Sequence, residues 1–288
     1  MVESSQPVSN DDIARHYDQL DRFYREIWGE HVHHGVWETG RESPDEATRR
    51  LIDLVVERTR LAPGMKVLDL GCGYGGTARV LADEQGALVT GLTLSTAQKR
   101  YADSLVPEGA GNPRYLIEDW LANQQPSGEY DALVALESTE HMPEKGRVFA
   151  EAARVLKPGG RLVVCVWLAG EDLRPWERDY LIEPVCREGR LPALGTEREH
   201  LAWIRDAGFE VFDALDVSEQ VSRTWPICIW RMCLGLLRKP SYLRFILDAK
   251  NDNRIFALTM IRIWLAYRRG AMRYVVFGAV KKPAKQGS

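Results

Sequence analysis

A glycine-rich run at residues 67–76, VLDLGCGYGG, is the segment whose residue types most directly imply chemistry. Gly71, Gly73 and Gly75 permit a tight turn that lets the backbone approach a ligand closely, and a helix beginning after them would offer free N–H groups. Asp69 stands two residues before the first of these glycines. Its charge at that position would repel a pyrophosphate and attract an ammonium group. The run therefore predicts a nucleotide-type turn, and it favours a ligand with a cationic end.

Two further clusters contain side chains that can exchange a proton near neutral pH. The first cluster follows a predicted strand and consists of Glu137, Glu140 and His141. The second lies near the N-terminus and consists of His31, His33 and His34. His141 or His34 is the candidate general base, and a neighbouring glutamate such as Glu140 would orient it or stabilise its charged form. The alternative for His141 is an orienting or packing role. The alternative for His33 and His34 is a hydrogen-bonded segment in which one ring contacts a cofactor. No acid or cysteine at ligand spacing accompanies the three histidines, so we predict no metal site.

An alternation of strands and helices through the middle of the chain places these segments in space. Helices are predicted at 43–61, 76–82, 95–105, 146–156 and 196–207, and strands at 66–70, 87–92, 114–118, 131–137, 161–167, 209–217 and 273–281. Asp69 and Glu137 then lie near the carboxyl ends of two strands, where open α/β sheets bind ligands. We therefore predict a doubly wound, mostly parallel seven-stranded α/β sheet with helices on both faces.

Both ends of the chain depart from this alternation. Residues 1–10 are predicted to be disordered and residues 11–28 to form one or two short helices, so that residues 1–43 make an N-terminal helical lid on a domain at 44–288. Residues 168–195 show no clear period. The aromatic stretch at 220–270 is predicted to be a helical insertion before the last strand that covers the ligand edge of the sheet. A separate domain is the alternative, and it is disfavoured because sheet strands flank the stretch.

Several of these segments, taken in order, resemble class I S-adenosylmethionine-dependent methyltransferases. Asp69 and the glycines match the family's E/D-x-G-x-G form, KPGG at 157–160 precedes the fifth strand, and EDW at 118–120 follows the third. The resemblance implies a Rossmann-like fold and S-adenosylmethionine as the cofactor. It places Asp69 near the cofactor's amino-acid end and an acid near its adenine amino group. The cofactor contacts that it implies in these two segments are Asp69, Gly71, Cys72, Gly73, Asp119 and Trp120.

Two longer segments resemble the γ-tocopherol methyltransferase-like family more closely. IWGEHVHHG at 27–35 matches I-W-G-x-H-x-H-H-G, and ESTEHMPEK at 137–145 matches E-S-x-E-H-M-P-x-K. The resemblance covers most of residues 15–165 and resumes near 205 and 260. It implies methyl transfer to a lipophilic acceptor, such as a prenylated quinol or phenol or a terpenoid. It also implies that Tyr17, His33 and Glu137 lie near the cofactor, with His141, Glu140 and His34 as the catalytic candidates.

The second strand ends in the segment TLSTAQ at 93–98, which lacks the acid that usually holds the ribose in class I enzymes. Cyclopropane fatty acid synthase relatives share this Thr-Leu-Ser-x-x-Gln form. By that resemblance Thr93, Leu94 and Gln98 line the cofactor. Gln98 is also the closing member of a predicted capping box that begins at Ser95. Both interpretations of Gln98 can hold together.

The stretch at 220–270 supplies the predicted pocket wall. About half of its large apolar side chains are expected to line a pocket and the rest to be ordinary core. The set as a whole consists of Trp225, Trp230, Met232, Tyr242, Phe245, Phe256, Met260, Trp264 and Tyr267. Its basic residues form a solvated helix face, a pyrophosphate contact or a membrane-surface patch: Arg231, Arg238, Lys239, Arg262, Arg268 and Arg269.

The composition, 45% hydrophobic and 27% charged, is that of an ordinary globular protein. A net charge of −3 argues against nucleic-acid binding. Five cysteines without a C-x-x-C pair favour a reducing compartment, and the polar N-terminus shows no secretory signal. The most apolar stretch, at 225–237, is interrupted by Pro226 and Arg231 and is too short to span a bilayer. We expect a cytoplasmic protein, with peripheral membrane contact left open.

Four alternative functions compete with methylation of a lipophilic natural product. A cyclopropane-synthase-like enzyme is disfavoured by the paired histidines and the EHMPEK segment, and a small-amine N-methyltransferase stays open. A nicotinamide-dependent oxidoreductase would have its acid near Leu92 rather than at Asp69. A cofactor-binding protein without catalysis is disfavoured by the intact glycines and by Glu140 and His141. The pattern does not specify whether carbon, oxygen or nitrogen receives the methyl group.

Overall fold

The computed structural model describes residues 1–28, 31–107, 112–238 and 256–283. Its strands are β1 (Val2–Glu3), β2 (Lys66–Leu70), β3 (Leu88–Thr93), β4 (Arg114–Ile117), β5 (Tyr130–Leu136), β6 (Leu156–Ala169), β7 (Ala193–Leu194), β8 (Phe209–Asp216) and β9 (Met272–Lys281). Seven of them form one sheet in the order β4-β3-β2-β5-β6-β9-β8. Strands β2 to β6 are parallel, and β9 runs antiparallel between β6 and β8. The predicted doubly wound, mostly parallel sheet is confirmed.

The helices are α1 (Asn10–Ile27), α2 (Pro44–Thr59), α3 (Gly76–Asp83), α4 (Thr96–Ser104), α5 (Lys145–Val155), α6 (Pro175–Glu177), α7 (Glu183–Glu188), α8 (Glu197–Asp206), α9 (Ser218–Ser222), α10 (Thr224–Arg238) and α11 (Phe256–Arg269). A π-helical turn at Arg178–Ile182 joins α6 to α7. The start of α2 follows directly from sequence, because Ser43 and Glu46 form a capping box and Pro44 occupies the first turn. A second capping box, between Ser9 and Asp12, begins α1. Helix α1 is a single helix, whereas the sequence left open one or two.

Both faces of the sheet are buried, which explains the unbroken apolar runs in its central strands. Alternate residues of a strand point to opposite faces. Val67 and Val134 pack with α2 residues such as Leu51 on one face, while Leu68 and Leu133 belong to the cluster of α5 and α8 on the other. The sheet therefore presents a rigid edge, and the side chains that follow its carboxyl ends are held in fixed relative positions.

Two predictions about the local structure are wrong. Residues 1–10 are not wholly irregular, because β1 pairs antiparallel with β7 and buries Val2. Strand β6 begins at Leu156 rather than at residue 161, since Tyr130 already pairs with Leu156 and the register shifts before the next pair. The KPGG segment at 157–160 therefore continues the strand as an irregularity, with Gly159 at φ +78°.

Helices before and after the sheet strands cover the carboxyl edge. Helix α1 packs against α4 and α10, and α10 packs against α11. The described parts of the 220–270 stretch are helical and lie between β8 and β9, as predicted. The predicted wall residues Tyr242 and Phe245 and the basic residue Lys239 lie outside the described residues. Within the described ranges, no helix is both long enough and apolar enough to cross a membrane.

Candidate functional site

Three adjacent cavities lie at the carboxyl edge of the sheet. We call them the strand-edge cleft of about 830 Å³, the glycine-loop pocket of about 350 Å³ and the aromatic chamber of about 620 Å³. The cleft and the glycine-loop pocket share Val32, Gly71, Gly73 and Leu136. The cleft and the aromatic chamber share Tyr17, Val32, Glu137 and His141. The cleft therefore stands between the other two cavities.

The glycine loop has a backbone conformation that favours glycine at several positions. Gly71 and Gly73 have φ values of +73° and +53°, the left-handed region that glycine adopts without strain. A Cβ atom on Gly71 would stand 2.2 Å from the Cβ of Ser138, whose hydroxyl donates a hydrogen bond to the Leu70 carbonyl at 2.5 Å. At Gly73 the same atom would meet nothing within 4 Å. The loop is thus packed against the end of β5 on one side and open to the cavities on the other.

Two buried polar atoms without partners belong to residues that line the glycine-loop pocket. Asp69 is 2% exposed, its Oδ2 has no hydrogen-bond partner, and burial raises its pKa to about 7. The His33 Nδ1 donates to the His34 carbonyl at 2.9 Å, which leaves the lone pair on Nε2, also without a partner. Burial lowers the pKa of His33, so its ring is neutral. A ligand with N–H donors and positive charge, such as the ammonium group of an amino acid, would satisfy both atoms.

The residues expected after the second and third strands line the strand-edge cleft. Gln98 accepts a hydrogen bond from the Thr93 hydroxyl at 2.7 Å, so the side chain does not close a capping box. Ser95 alone caps α4, by accepting from the Gln98 N–H at 3.1 Å. Leu94, Asp119 and Trp120 line the same cleft. Asp119 caps a short turn by accepting from the Leu121 N–H, and the Trp120 indole donates to the Val148 carbonyl.

Glu137 is the most heavily bonded side chain between the cleft and the chamber. One of its carboxylate oxygens accepts from the His34 backbone N–H at 2.7 Å, the His34 Nδ1 at 2.9 Å and the Tyr274 hydroxyl at 2.8 Å; the other accepts from the Trp167 Nε1 at 2.8 Å. Burial alone would raise the pKa of Glu137, but the His34 and His33 groups lower it to about 2. Glu137 therefore joins the His34 segment to β6 and β9 as a buried carboxylate.

Both ring nitrogens of His34 are engaged. The Trp225 Nε1–H donates to His34 Nε2 at 2.8 Å, and because an indole is only a donor, that nitrogen carries the lone pair. The neutral ring then donates from Nδ1 to Glu137. Proton transfer by His34 stays a prediction, and it would require one of these two bonds to break.

His141 lies where the cleft and the chamber meet. Its Nδ1 donates to the Arg190 carbonyl at 3.0 Å, and its Nε2 accepts from the Tyr17 hydroxyl at 2.8 Å. Burial lowers the pKa of His141 to about 4 and raises that of Tyr17. Arg190 was not identified from sequence, because its role depends on a backbone carbonyl. The pair is therefore neutral, with the tyrosine proton directed at the histidine.

Glu140 occupies the chamber but does not bond to His141. Its Oε1 accepts from the Trp167 backbone N–H at 2.7 Å, while its Oε2 is buried without a partner. Burial raises the pKa of the Glu140 carboxyl. Lys145 is also buried, and its ammonium donates to the Thr139 and Glu140 carbonyl oxygens at 2.8 and 2.9 Å. The predicted orientation of His141 by Glu140 is not observed, since the Arg190 carbonyl holds that ring instead.

The remainder of the aromatic chamber is largely apolar. Its ring and aliphatic walls come from five segments of the chain: Tyr24, Trp28, Trp167, Val185, Leu191, Trp225 and Ile263. Of the predicted wall residues, Trp225 lines the chamber, Met232, Met260 and Tyr267 are core, and Trp230 is 63% exposed. Within the described ranges, no group of His, Cys, Asp or Glu is arranged to hold a metal ion.

Comparison with known proteins places this arrangement in a family. A family model described as mycolic acid cyclopropane synthetase matches residues 4–237. The 2-methyl-6-phytyl-1,4-hydroquinone methyltransferase of Synechocystis sp. is 32% identical over 96% of this chain and 90% of its own length.

Two solved structures are similar over nearly the whole chain. The [4+2]-cyclase SpnF has a TM-score of 0.80 and 28% identity, covering 98% of this chain and all of its own. The mycolic acid cyclopropane synthase CmaA1, solved with S-adenosylhomocysteine and CTAB, has a TM-score of 0.83 and 20% identity, covering 96% of this chain and all of its own. The second likeness shows the fold alone.

These matches agree with the glycine loop, the unpartnered acceptors beside it and the order of the sheet strands. The family model and the Synechocystis relative confirm the predicted resemblance and S-adenosylmethionine as the cofactor. The chain belongs to the mycolic acid cyclopropane synthetase family, as a class I S-adenosylmethionine-dependent methyltransferase of the type that includes tocopherol methyltransferases and cyclopropane synthases.

Proposed function

We propose that this enzyme methylates a lipophilic acceptor that enters the aromatic chamber while the cofactor occupies the cleft and the glycine-loop pocket. The observation that carries the proposal is the set of residues common to cleft and chamber, among them Tyr17, Glu137 and His141. The cofactor supplies an electrophilic methyl group on a sulfonium ion. Direct transfer requires the two reactants to face each other across one opening, and the shared residues would surround that opening.

We propose specific roles for the residues of the cofactor side. Asp69 and His33 would accept hydrogen bonds from the ammonium group, because both line the glycine-loop pocket and each has a buried polar atom without a partner. The other contacts would follow the order of the strands. Gly71, Cys72 and Gly73 of the loop would contact the amino-acid end of the cofactor, and Thr93, Leu94 and Gln98 after β3 would contact the ribose. Asp119 and Trp120 after β4 would contact the adenine.

The acceptor that fits the chamber is a prenylated quinol or phenol, or a terpenoid. Trp28, Trp167 and Trp225 line the chamber with large apolar rings, and apolar and aromatic walls with a few polar groups are typical of small-molecule pockets. The Synechocystis relative is named for a phytylated hydroquinone, which has this combination of an aromatic ring and an apolar chain. A small polar amine would leave most of the apolar wall uncovered.

We further propose that Tyr17 and His141 receive the proton that the acceptor releases. As methyl transfer proceeds, positive charge develops on the acceptor and its proton becomes acidic, so a weak base is sufficient. The proton would pass to the Tyr17 oxygen while the Tyr17 proton moves to His141 Nε2 over the existing 2.8 Å hydrogen bond. The resulting imidazolium would keep its Nδ1 bond to the Arg190 carbonyl. His34 would instead position Glu137 and the chamber wall.

Residues 1–43 would act as a lid over both cavities. Tyr17 contributes to the cleft and the chamber, and Asp18 accepts hydrogen bonds from the Ser95 hydroxyl and the Ala97 N–H at the start of α4. His34 is fastened to Glu137. These contacts join the N-terminal segment to the carboxyl ends of β3 and β5, so closure would exclude water from the reacting groups.

The outer face of α10 and α11 would contact an anionic membrane surface. Neither helix contains an acidic residue, and Arg238 and Arg268 are exposed at their C-terminal ends. Exposed apolar side chains follow one face of each helix: Trp230 and Leu237, and then Leu258, Ile261 and Leu265. The inner faces of the same helices line the chamber through Trp225, Thr259 and Ile263, so a lipophilic acceptor would have a short path from the bilayer.

Co-sedimentation with vesicles tests this surface. We expect stronger binding to vesicles containing phosphatidylglycerol than to pure phosphatidylcholine. Replacing Trp230 and Leu237 together by serine should weaken binding at least tenfold, because two buried apolar side chains are lost from the contact. Tyr180→Ser, at a 71% exposed site on another helix, is the matched control. Equal binding to the two kinds of vesicle, or no binding, would disprove the contact.

The proposed function is tested by transfer of a labelled methyl group from S-adenosylmethionine to a panel of prenyl quinols, phenols, terpenoids and amines. We expect label in an oxygen-bearing lipophilic acceptor and stoichiometric release of S-adenosylhomocysteine. Because one structural neighbour is named as a cyclase, the label itself is followed rather than substrate loss. Cofactor binding with label only in small amines, or with no transfer at all, would contradict the proposal.

A further inference from the structure

Glu140 differs from the other polar residues of the aromatic chamber. Its Oε2 is the one buried side-chain oxygen or nitrogen without a partner among the described residues that line this cavity. The other polar groups bond to one another, as Tyr17 does to His141 and Trp225 to His34. Glu140 itself is 3% exposed. A buried polar atom that faces a cavity without a partner is costly, unless a ligand completes its hydrogen bonding.

The surroundings of Glu140 determine which kind of partner it would take. Its Oε1 already accepts the Trp167 N–H, and the ammonium of Lys145 is directed at two backbone carbonyls. Burial and the nearby Glu137 carboxylate raise the pKa of the Glu140 carboxyl, and the Lys145 ammonium offsets only part of that rise. A buried carboxylate with one bare oxygen would be strongly destabilised, so the neutral acid is the stable form. The Oε2 hydroxyl is then a donor without a partner, on a residue that lines the chamber.

We propose that Glu140 donates a hydrogen bond to an oxygen atom at the polar end of the acceptor, and so selects phenols, quinols, alcohols and their ethers over plain hydrocarbons. This inference rests on the proposed function, since it concerns the acceptor of that same site. Glu140 lies in the segment that also holds Glu137 and His141. The recognised oxygen would therefore lie near the opening to the cofactor cleft, and the apolar part of the acceptor would extend along the tryptophans.

A cationic acceptor is the alternative. An amine would bind Glu140 as a carboxylate, through charge pairing, and would need no hydrogen-bond donor from the protein. The two cases differ in their response to Glu140→Gln, because glutamine keeps a donor and an acceptor but cannot ionise. It also preserves a carbonyl oxygen for the Trp167 N–H.

Binding of three matched probes tests the proposal without any methyl transfer. Calorimetry on the full chain, with no cofactor added, compares para-butylphenol, its methyl ether and butylbenzene. The ether is the decisive probe, because its oxygen accepts a hydrogen bond but cannot donate one. We expect the wild type to bind the phenol and the ether about tenfold more tightly than the hydrocarbon. Equal binding of all three probes, or failure of all three to bind, would overturn the proposal. An amine, para-butylbenzylamine, serves as a fourth probe for the cationic alternative, and tighter binding of this amine than of the phenol would also overturn the proposal.

Variants locate the effect at Glu140. We expect Glu140→Gln to keep the preference for the oxygen-bearing probes and Glu140→Ala to lose it. Glu144→Gln, an exposed neighbour outside the chamber, is the matched control and should behave as wild type. Loss of the preference in the control, or its survival in Glu140→Ala, would contradict the assignment.

Infrared difference spectra between wild type and Glu140→Gln provide a measurement that does not depend on the folding of Glu140→Ala. We expect a protonated-carboxyl band at neutral pH that shifts when the ether binds and not when butylbenzene binds. A carboxylate band in its place would overturn the proposal. The methyl-transfer assay is separate, so binding without transfer would contradict the proposed function and leave this inference standing.

Discussion

The glycine-loop pocket and the aromatic chamber use polar groups in opposite ways. The pocket presents free acceptors, because Asp69 Oδ2 and His33 Nε2 have no partner in the protein. In the chamber the polar groups bond to each other, and Glu137 alone accepts four hydrogen bonds. Free acceptors are suited to binding a polar, charged ligand, whereas a saturated network leaves an apolar surface of fixed shape. On the proposed function, the cofactor would be bound by polar groups that lack partners in the protein, and the acceptor by the shape of the chamber together with Glu140.

Disruption of the Tyr17–His141 pair tests the chamber side and should have the largest effect. We expect Tyr17→Phe and His141→Ala each to lower kcat about a hundred- to a thousandfold with the acceptor found in the transfer assay, because each interrupts the same proton path. The double variant should lose little more than either single one, since residues of one path are not additive. Affinity for S-adenosylmethionine should change little.

Tyr180→Phe, at an exposed tyrosine, is the control for these variants. The pH profile gives an independent check. His141 has a pKa of about 4, so it is neutral and able to accept a proton at every pH above that value. We expect no loss of kcat from His141 protonation between about pH 8 and pH 5.5, where an ordinary histidine would titrate. Additive losses in the double variant, or a fall in kcat near pH 6.5 that His141→Ala abolishes, would contradict the relay.

The pocket side is tested by removing the charge of Asp69. We expect Asp69→Asn to raise the Kd of S-adenosylmethionine and of S-adenosylhomocysteine about a hundredfold, because a buried hydrogen bond between charged groups is lost. Calorimetry measures both constants. Asp83→Asn, at the exposed end of α3, is the matched control. Binding of para-butylphenol in the chamber should stay unchanged, and a loss there would show that the two cavities are not independent.

The two regions also differ in how far sequence predicts them. The glycine loop is a contiguous run that resembles a family motif, so the cofactor could be named in advance, and the residues expected to contact it line the cleft and the glycine-loop pocket. The chamber combines Tyr17, His34, Trp167 and Trp225 with the Arg190 carbonyl, and no local pattern links such distant positions. A backbone carbonyl leaves no trace in residue type.

Irregular helices explain a further part of what sequence did not predict. Residues 168–195 show no period because they form a π-helical turn between two short helices, and they supply Val185 and Leu191 to the chamber. The protonation of His141 was also beyond pattern analysis, since burial rather than residue type lowers its pKa. The pattern therefore identified the histidine, and the fold determines its chemistry.

The third and smallest effect is that of a substitution at Glu137. It tests the hydrogen-bond network of the chamber through the stability of the protein. We expect Glu137→Gln to lower the free energy of unfolding by about 2 kcal/mol at pH 7, because an amide cannot accept all four hydrogen bonds that the carboxylate accepts. The folded pKa of Glu137, about 2, lies below the value of about 4.3 expected for an unfolded chain. Its contribution is therefore fully present above about pH 5 and is lost as the pH falls towards 2.

Urea unfolding of wild type and Glu137→Gln across this range measures that difference directly. The two curves should converge as the pH falls, while Glu129→Gln, at a surface carboxylate paired with Lys66, should show a much smaller difference at pH 7. A constant difference between pH 7 and pH 3 would mean that Glu137 contributes through packing and not through its charge. In that case the hydrogen bonds to the charged Glu137 carboxylate would not stabilise the chamber. The chamber would then differ from the glycine-loop pocket in shape alone.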